Sequence, residues 1–136
     1  MRGFSRYVGL NHDHGNNKAW EDYWKEAKES QDETVQRIKD GMIGSRWWHK
    51  IAYMTKNYFG SIEGLRVIEI GAGAGEMSAR MALSGASCTL IDYSPNAVEF
   101  SKKIFSELGL RADFHLIDAF NLPEKLLGKF DVAMSF

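Results

Sequence analysis

The spacing of apolar positions changes character near residue 61 of this 136-residue chain. Before that point apolar residues recur at helical period; after it, short β-branched runs alternate with helical stretches. Ala19, Trp20, Tyr23, Trp24 and Ala27 share one face of a helix expected over 18–29, with Glu21, Asp22, Lys25, Glu26, Lys28 and Glu29 covering much of the rest. Ser30 and Glu33 have capping-box spacing, so a second helix is expected there, using Val35, Ile38 and Met42 as its buried side and broken at Gly41 and Gly44. Trp47, Ile51, Met54 and Tyr58 follow at the same period and predict a third helix ending near Gly60. The four tryptophans within residues 20–48 read first as packing surface, as aromatic stripes at helical period do, with a cap over a ligand pocket as the alternative.

The second half opens on Val67, Ile68 and Ile70, a buried-strand signal that stops in three alternating glycines, Gly71, Gly73 and Gly75. A run of good helix formers over 76–83 ends at Gly85, which makes the unit strand, glycine turn, helix. Residues 87–91 predict a second strand ending in Asp92-Tyr93, and Ser94-Pro95 starts a helix with serine as N-cap and proline in the first turn. Ala97, Ser101, Ile104, Phe105 and Leu108 give that helix one packing face. Residues 111–117 predict a third strand, 118–123 a loop, 124–128 barely one helical turn, and 130–136 a fourth strand. Such alternation implies an α/β fold with a parallel sheet.

Charge and composition narrow the function classes. Seventeen basic against eighteen acidic side chains give a net charge of −1 with no basic block, which argues against nucleic acid as partner. No apolar run is long enough for a membrane span or a secretory leader, so no membrane association is expected and the location reads as cytoplasmic. Cys88, the single cysteine, sits in an apolar stretch and reads as a small buried hydrophobe. Residues 1–17 read as a flexible arm; its His12-Asp13-His14 lacks a third ligand of suitable spacing, so no metal is expected.

A glycine turn between strand and helix suits either a dinucleotide or S-adenosylmethionine, and spacing separates them. The dinucleotide fingerprint needs a third glycine inside the first helical turn, where this chain has Glu76. A carboxylate there disfavours a pyrophosphate, whereas S-adenosylmethionine carries a sulfonium and no phosphate. Asp92 ends a strand where a carboxylate can accept from both ribose hydroxyls, although an Asx turn would use the same oxygens. Asp118 ends the next strand, where its carboxylate can receive an adenine amino group and the Ala119 amide can donate to the ring; a simple loop-start aspartate is the alternative.

The ordered set Glu69-Ile-Gly-Ala-Gly-Ala-Gly75, Leu90-Ile-Asp-Tyr-Ser94, Asp118-Ala-Phe-Asn-Leu-Pro123 and Lys129-Phe-Asp-Val-Ala-Met-Ser-Phe136 resembles class I S-adenosylmethionine-dependent methyltransferases over about residues 62–136. The resemblance implies a Rossmann-like three-layer sandwich with a parallel sheet of partial strand order 3-2-1-4, preceded by an N-terminal helical cap over 18–60. It implies S-adenosyl-L-methionine as cofactor and methyl transfer to a small-molecule acceptor. On that analogy Gly71, Ala72, Gly73 and Gly75 pass around the methionine part, and Glu69 supports the loop or the amino group. Asp92 holds ribose, Tyr93 packs near adenine, Asp118 with Ala119 reads the base, and Ser135 and Phe136 approach the amino group through the backbone. No catalytic base is assigned; His49 and His115 are candidates by residue type alone.

The family's sheet has seven strands and this sequence carries four. A second reading is therefore a cofactor-binding but catalytically incomplete half-domain, an interaction module or one needing a partner chain. Phe130, Val132, Ala133, Met134 and Phe136 are expected to form an apolar edge on the fourth strand, open to self-association or to a complementing chain.

Overall fold

The computed structural model describes residues 17–27, 31–40 and 46–136; the arm with His12 and His14, the serine of the capping box, and Gly41, Met42 and Gly44 lie outside the described residues. The elements run α1 (Asn17–Glu26), α2 (Gln31–Lys39), α3 (Arg46–Phe59), β1 (Arg66–Ile70), α4 (Glu76–Leu83), β2 (Ser87–Asp92), α5 (Pro95–Glu107), β3 (Asp113–Leu116) and β4 (Val132–Ser135). Two 3-10 turns, Ala119–Asn121 and Glu124–Leu126, lie between the last two strands. Every pairing is parallel, and the strand order is β3-β2-β1-β4, as expected of the Rossmann-like class.

Side-chain alternation along these strands builds the core. Val67 stands opposite Cys88 and Val132, and Glu69 opposite Leu90 and Met134, so these residues share one sheet face. Val67, Cys88, Leu90 and Met134 join Ala79 and Met81 of α4 and Phe100, Ile104 and Phe105 of α5 in one buried cluster. Each large side chain so buried contributes about 1.5–3 kcal/mol. Cys88 is buried as anticipated; its Sγ lies 3.3 Å from the Ser78 carbonyl, and burial pushes its thiol up to about 12.

Two expectations about apolar faces are corrected. β4 is an edge strand of the described sheet, paired with β1 alone, but Met134 is buried at 6 % exposure rather than contributing to an apolar edge, because its register with Glu69 puts it on the core face; Ala133 and Phe136 are the exposed members of that set. On α3 the stripe that starts at Trp47 points outward, with Trp47, Met54 and Tyr58 at 62, 67 and 83 % exposure. The adjoining stripe of Trp48, Ile51 and Ala52 packs against the core, and Thr55 is buried. Both stripes are apolar and about one residue step apart, so a 3.6-residue period alone does not say which one faces inward.

Arg66 and Asp131 join the starts of β1 and β4. The Arg66 amide and Nε donate to Asp131 Oδ2 at 2.8 and 3.1 Å, and a second guanidinium nitrogen reaches Oδ1 at 2.8 Å. These bonds hold the Asp131 carboxyl down at about 2.

Candidate functional site

The glycine turn is shaped from within. Ala72 N donates to Ile91 O at 3.0 Å and Gly75 N to Ala72 O at 2.8 Å, which folds the turn back over the end of β2. Gly71, Gly73 and Gly75 all have positive φ, at 68, 54 and 70°, a region costly for other L-residues. Their surroundings differ. A Cβ on Gly71 would meet nothing within 4 Å, one on Gly75 would collide with Leu90, and one on Gly73 would lie 2.5 Å from Trp24 Cζ2. Gly71 thus borders open space, while Gly73 and Gly75 are required by packing.

Glu69 is 4 % exposed and its Oε2 accepts from both the amide and the hydroxyl of Ser78. Gly75, the N-cap of α4, has no side chain to offer, so a carboxylate from β1 satisfies a helix-start amide instead. Burial pushes the Glu69 carboxyl up to about 7, against the pull of the two Ser78 bonds. Glu69 therefore braces the turn and its helix.

Asp92 is the junction of the site. Its Oδ2 accepts from Gly73 N and its Oδ1 from Ser94 N, each at 2.9 Å. The first bond clamps the glycine turn onto β2; the second is the Asx turn that opens α5, whose N-cap Ser94 accepts from Ala97 N at 3.1 Å. Burial raises the Asp92 carboxyl despite these amides, with the Glu21 charge adding to the rise. A carboxylate offers about four acceptor sites, so two such bonds leave room for ligand hydroxyls.

The remaining predicted positions lie around this junction to different degrees. Ile117 N donates to Asp92 O at 2.9 Å, which brings the start of the 118–121 turn beside the end of β2. Asp118 Oδ1 caps that turn by accepting from Phe120 N at 2.9 Å, and Ala119 is exposed. Ser135 pairs with Ile70 at the end of the β1–β4 ladder and is exposed. Tyr93 is half-buried, its hydroxyl has no hydrogen-bond partner among the described residues, and burial raises its pKa. Neither histidine joins the cluster by any bond: His49 is exposed on α3, and His115 pairs with Ile91 inside β3.

Two residues of α1 enter the site: Glu21, and Trp24, one of the tryptophans weighed as a pocket cap. Trp24 covers Gly73 and packs tilted against Phe100 of α5, ring centroids 5.6 Å apart, and Glu21 Oε2 accepts from Asn96 Nδ2 in the first turn of α5. Sequence periodicity assigns Glu21 to a solvated face. Its spacing of three from Trp24 puts both on one side of α1, the only local hint. Glu76 also differs from expectation: its carboxylate is paired with Arg37 at 3.3 Å and Arg80 at 3.2 Å, so it is not a bare charge at the helix start. What disfavours a pyrophosphate there is a side chain where that fingerprint needs glycine.

A groove of about 700 Å³ lined by Cys88, Lys102, Phe105, Arg111 and Asp113 lies at the opposite ends of β2 and β3 and shares no residue with this cluster. Among the described residues no group of three or more His, Cys, Asp or Glu side chains is placed to hold a metal, and no helix is long and apolar enough to cross a membrane.

Comparison with known proteins bears on the same segment. A family profile described as "Methyltransferase domain" matches residues 61–136. A ubiquinone biosynthesis O-methyltransferase of Dechloromonas aromatica (strain RCB) is 31 % identical over 105 residues, which cover 68 % of this chain and 45 % of that protein. A namesake from Bordetella parapertussis is 27 % identical over 107 residues, covering 69 % and 44 %. The chain thus spans less than half the length of these relatives. A structure described under the conversion of a disulfide bond into a thioacetal group during echinomycin biosynthesis superposes with a TM-score of 0.52 at 31 % identity, covering 62 % of this chain and 35 % of that one. Magnesium protoporphyrin IX methyltransferase from Synechocystis PCC 6803, solved with bound SAH, shares the fold with a TM-score of 0.55 at 24 % identity, covering 65 % and 39 %. With the glycine turn, the parallel 3-2-1-4 sheet and a profile match over more than half its length, the chain belongs to the class I S-adenosylmethionine-dependent methyltransferases.

Proposed function

We propose that this chain binds S-adenosylmethionine where β1, β2 and β3 end and serves methyl transfer to an oxygen of a small-molecule acceptor. The observation that carries the reading is the Asp92–Gly73 hydrogen bond, which sets a buried carboxylate with spare acceptor sites against the glycine turn. The cofactor fits what is there. Gly71 borders open space at the turn, and the buried hydroxyl of Tyr93, next along the chain from Asp92, has no hydrogen-bond partner among the described residues. An oxygen acceptor is suggested by the names of the relatives, which are O-methyltransferases.

When bound, S-adenosylmethionine supplies a methyl group already activated by its sulfonium. The protein's work is then binding, orientation and exclusion of water. Asp92 receives ribose hydroxyls and keeps the turn in place; Asp118 and Ala119 face the base; Glu69 holds α4 so that Gly71 and Ala72 present backbone to the methionine part. Tyr93 flanks the adenosine, and Ser135 marks the β4 side of the cleft.

Calorimetric titration with S-adenosylmethionine, S-adenosylhomocysteine and NAD tests the binding. Tighter binding of NAD would sink the assignment. Labelled-methyl transfer to a panel of small hydroxyl compounds, run on the same sample, tests activity; binding without turnover would favour the cofactor-binding but catalytically incomplete reading.

A further inference from the structure

Two buried polar atoms lie where helix α1 meets the cluster. Glu21 Oε1 and Tyr93 Oη are both buried and have no hydrogen-bond partner among the described residues. Unsatisfied buried polar groups are costly, and two of them beside one strand end and helix start point to a missing polar group. Their place is set by neighbours. Asn96 Nδ2 holds Glu21 Oε2 in the first turn of α5, two residues past the Ser94 amide that Asp92 accepts, and Trp24 seats the next turn of α1 on Gly73. The Glu21 charge is near enough to raise both Asp92 and Tyr93.

We propose that Glu21 is a second carboxylate of the adenosine subsite, accepting from a ribose hydroxyl that also takes the Tyr93 O–H, so that α1 forms one wall of the cofactor site. A vicinal diol matches the set: each hydroxyl donates once and accepts, whereas Glu21 and Asp92 only accept and Tyr93 donates. This rests on the adenosyl cofactor proposed above. It adds a contact from a helix more than sixty residues away from Asp92 in sequence.

The test is calorimetry on the whole chain with S-adenosylhomocysteine and with its analogue lacking both ribose hydroxyls. Glu21→Ala should weaken the parent ligand about ten- to a hundredfold, the loss of a charge-assisted hydrogen bond, and leave the analogue's affinity unchanged from wild type. Tyr93→Phe should act in the same direction. Glu21→Gln keeps the side chain's shape and its bond from Asn96, so it separates the charge from the docking of α1. Equal loss for both ligands would make Glu21 a purely structural anchor, and no loss for either would remove it from the site; both overturn the inference. Failure of wild-type protein to bind the parent ligand would instead strike the cofactor reading itself.

Discussion

Trp24 lies against Gly73 so closely that the glycine turn has room for a hydrogen and not for a methyl group. Gly73→Ala therefore carries two penalties: a non-glycine residue at φ 54°, about 1–2 kcal/mol, and displacement of the indole, about 1–3 kcal/mol of overpacking. Urea denaturation should show both in the single variant. In a Trp24→Ala background the second penalty should vanish, giving a non-additive double-mutant cycle. Additive effects would mean that α1 does not rest on the turn in solution.

Asp92→Ala should lower stability before any ligand is added. It leaves the Gly73 and Ser94 amides without their acceptor, a loss of about 1–3 kcal/mol, and it frees the turn from β2. Cofactor affinity should fall with it. Asp92→Asn, which retains one acceptor, should recover part of the stability and little of the affinity. An alanine variant as stable as wild type would contradict the two backbone bonds.

Glu69 makes a signed prediction about pH. Its folded pKa of about 7 stands above the ordinary carboxyl value of 4.5, so the folded state holds the proton more tightly than the unfolded chain. Its contribution is fully present below the ordinary value and is lost as pH rises towards 7, a decline of about 1–3 kcal/mol. Glu69→Gln should flatten that decline, so the difference between variant and wild type changes between about pH 4.5 and 7 and is constant above. A difference independent of pH would show that folding does not raise the Glu69 pKa.

Asp131 has the opposite sign. Held down at about 2 by Arg66, its carboxylate adds stability above the ordinary value of 3.8 that disappears as pH falls towards 2. Asp131→Asn should lower the thermal midpoint at neutral pH, and the two proteins should converge in strong acid. Persistent separation there would place the effect in packing rather than in the ion pair.

What the chain discloses by local chemistry, and what it does not, divides along sequence distance. The glycine turn, the Ser94 cap and the two strand-end aspartates announce themselves because turn dihedrals, caps and strand ends are set by residues one to four positions apart. The strand order follows from β-α alternation together with family resemblance. The partners of Glu21 and Trp24 are not legible locally because Asn96 and Gly73 lie 75 and 49 positions away, and an amphipathic pattern records only that a face is covered. The outward turn of Trp47, Met54 and Tyr58 is illegible for a related reason: two neighbouring apolar stripes compete, and the packing of α3 on α4 decides between them. Asp92 was open between a cap and a ligand site because the same carboxylate serves a backbone turn and retains acceptor capacity.

The central position of β1 has a consequence for the order in which the sheet can assemble. Among the described strands it is made before the others, yet its second neighbour, β4, follows 65 positions later at the Arg66–Asp131 junction. At about 5–20 residues per second that interval is about 3–13 s, during which the nascent chain carries β1 with one flank unpaired. Closing so long a loop is entropically dear, and pairings of this separation slow folding. Local formation of β1, α4 and β2 is thus favoured ahead of the β1–β4 pairing, which closes the longer loop.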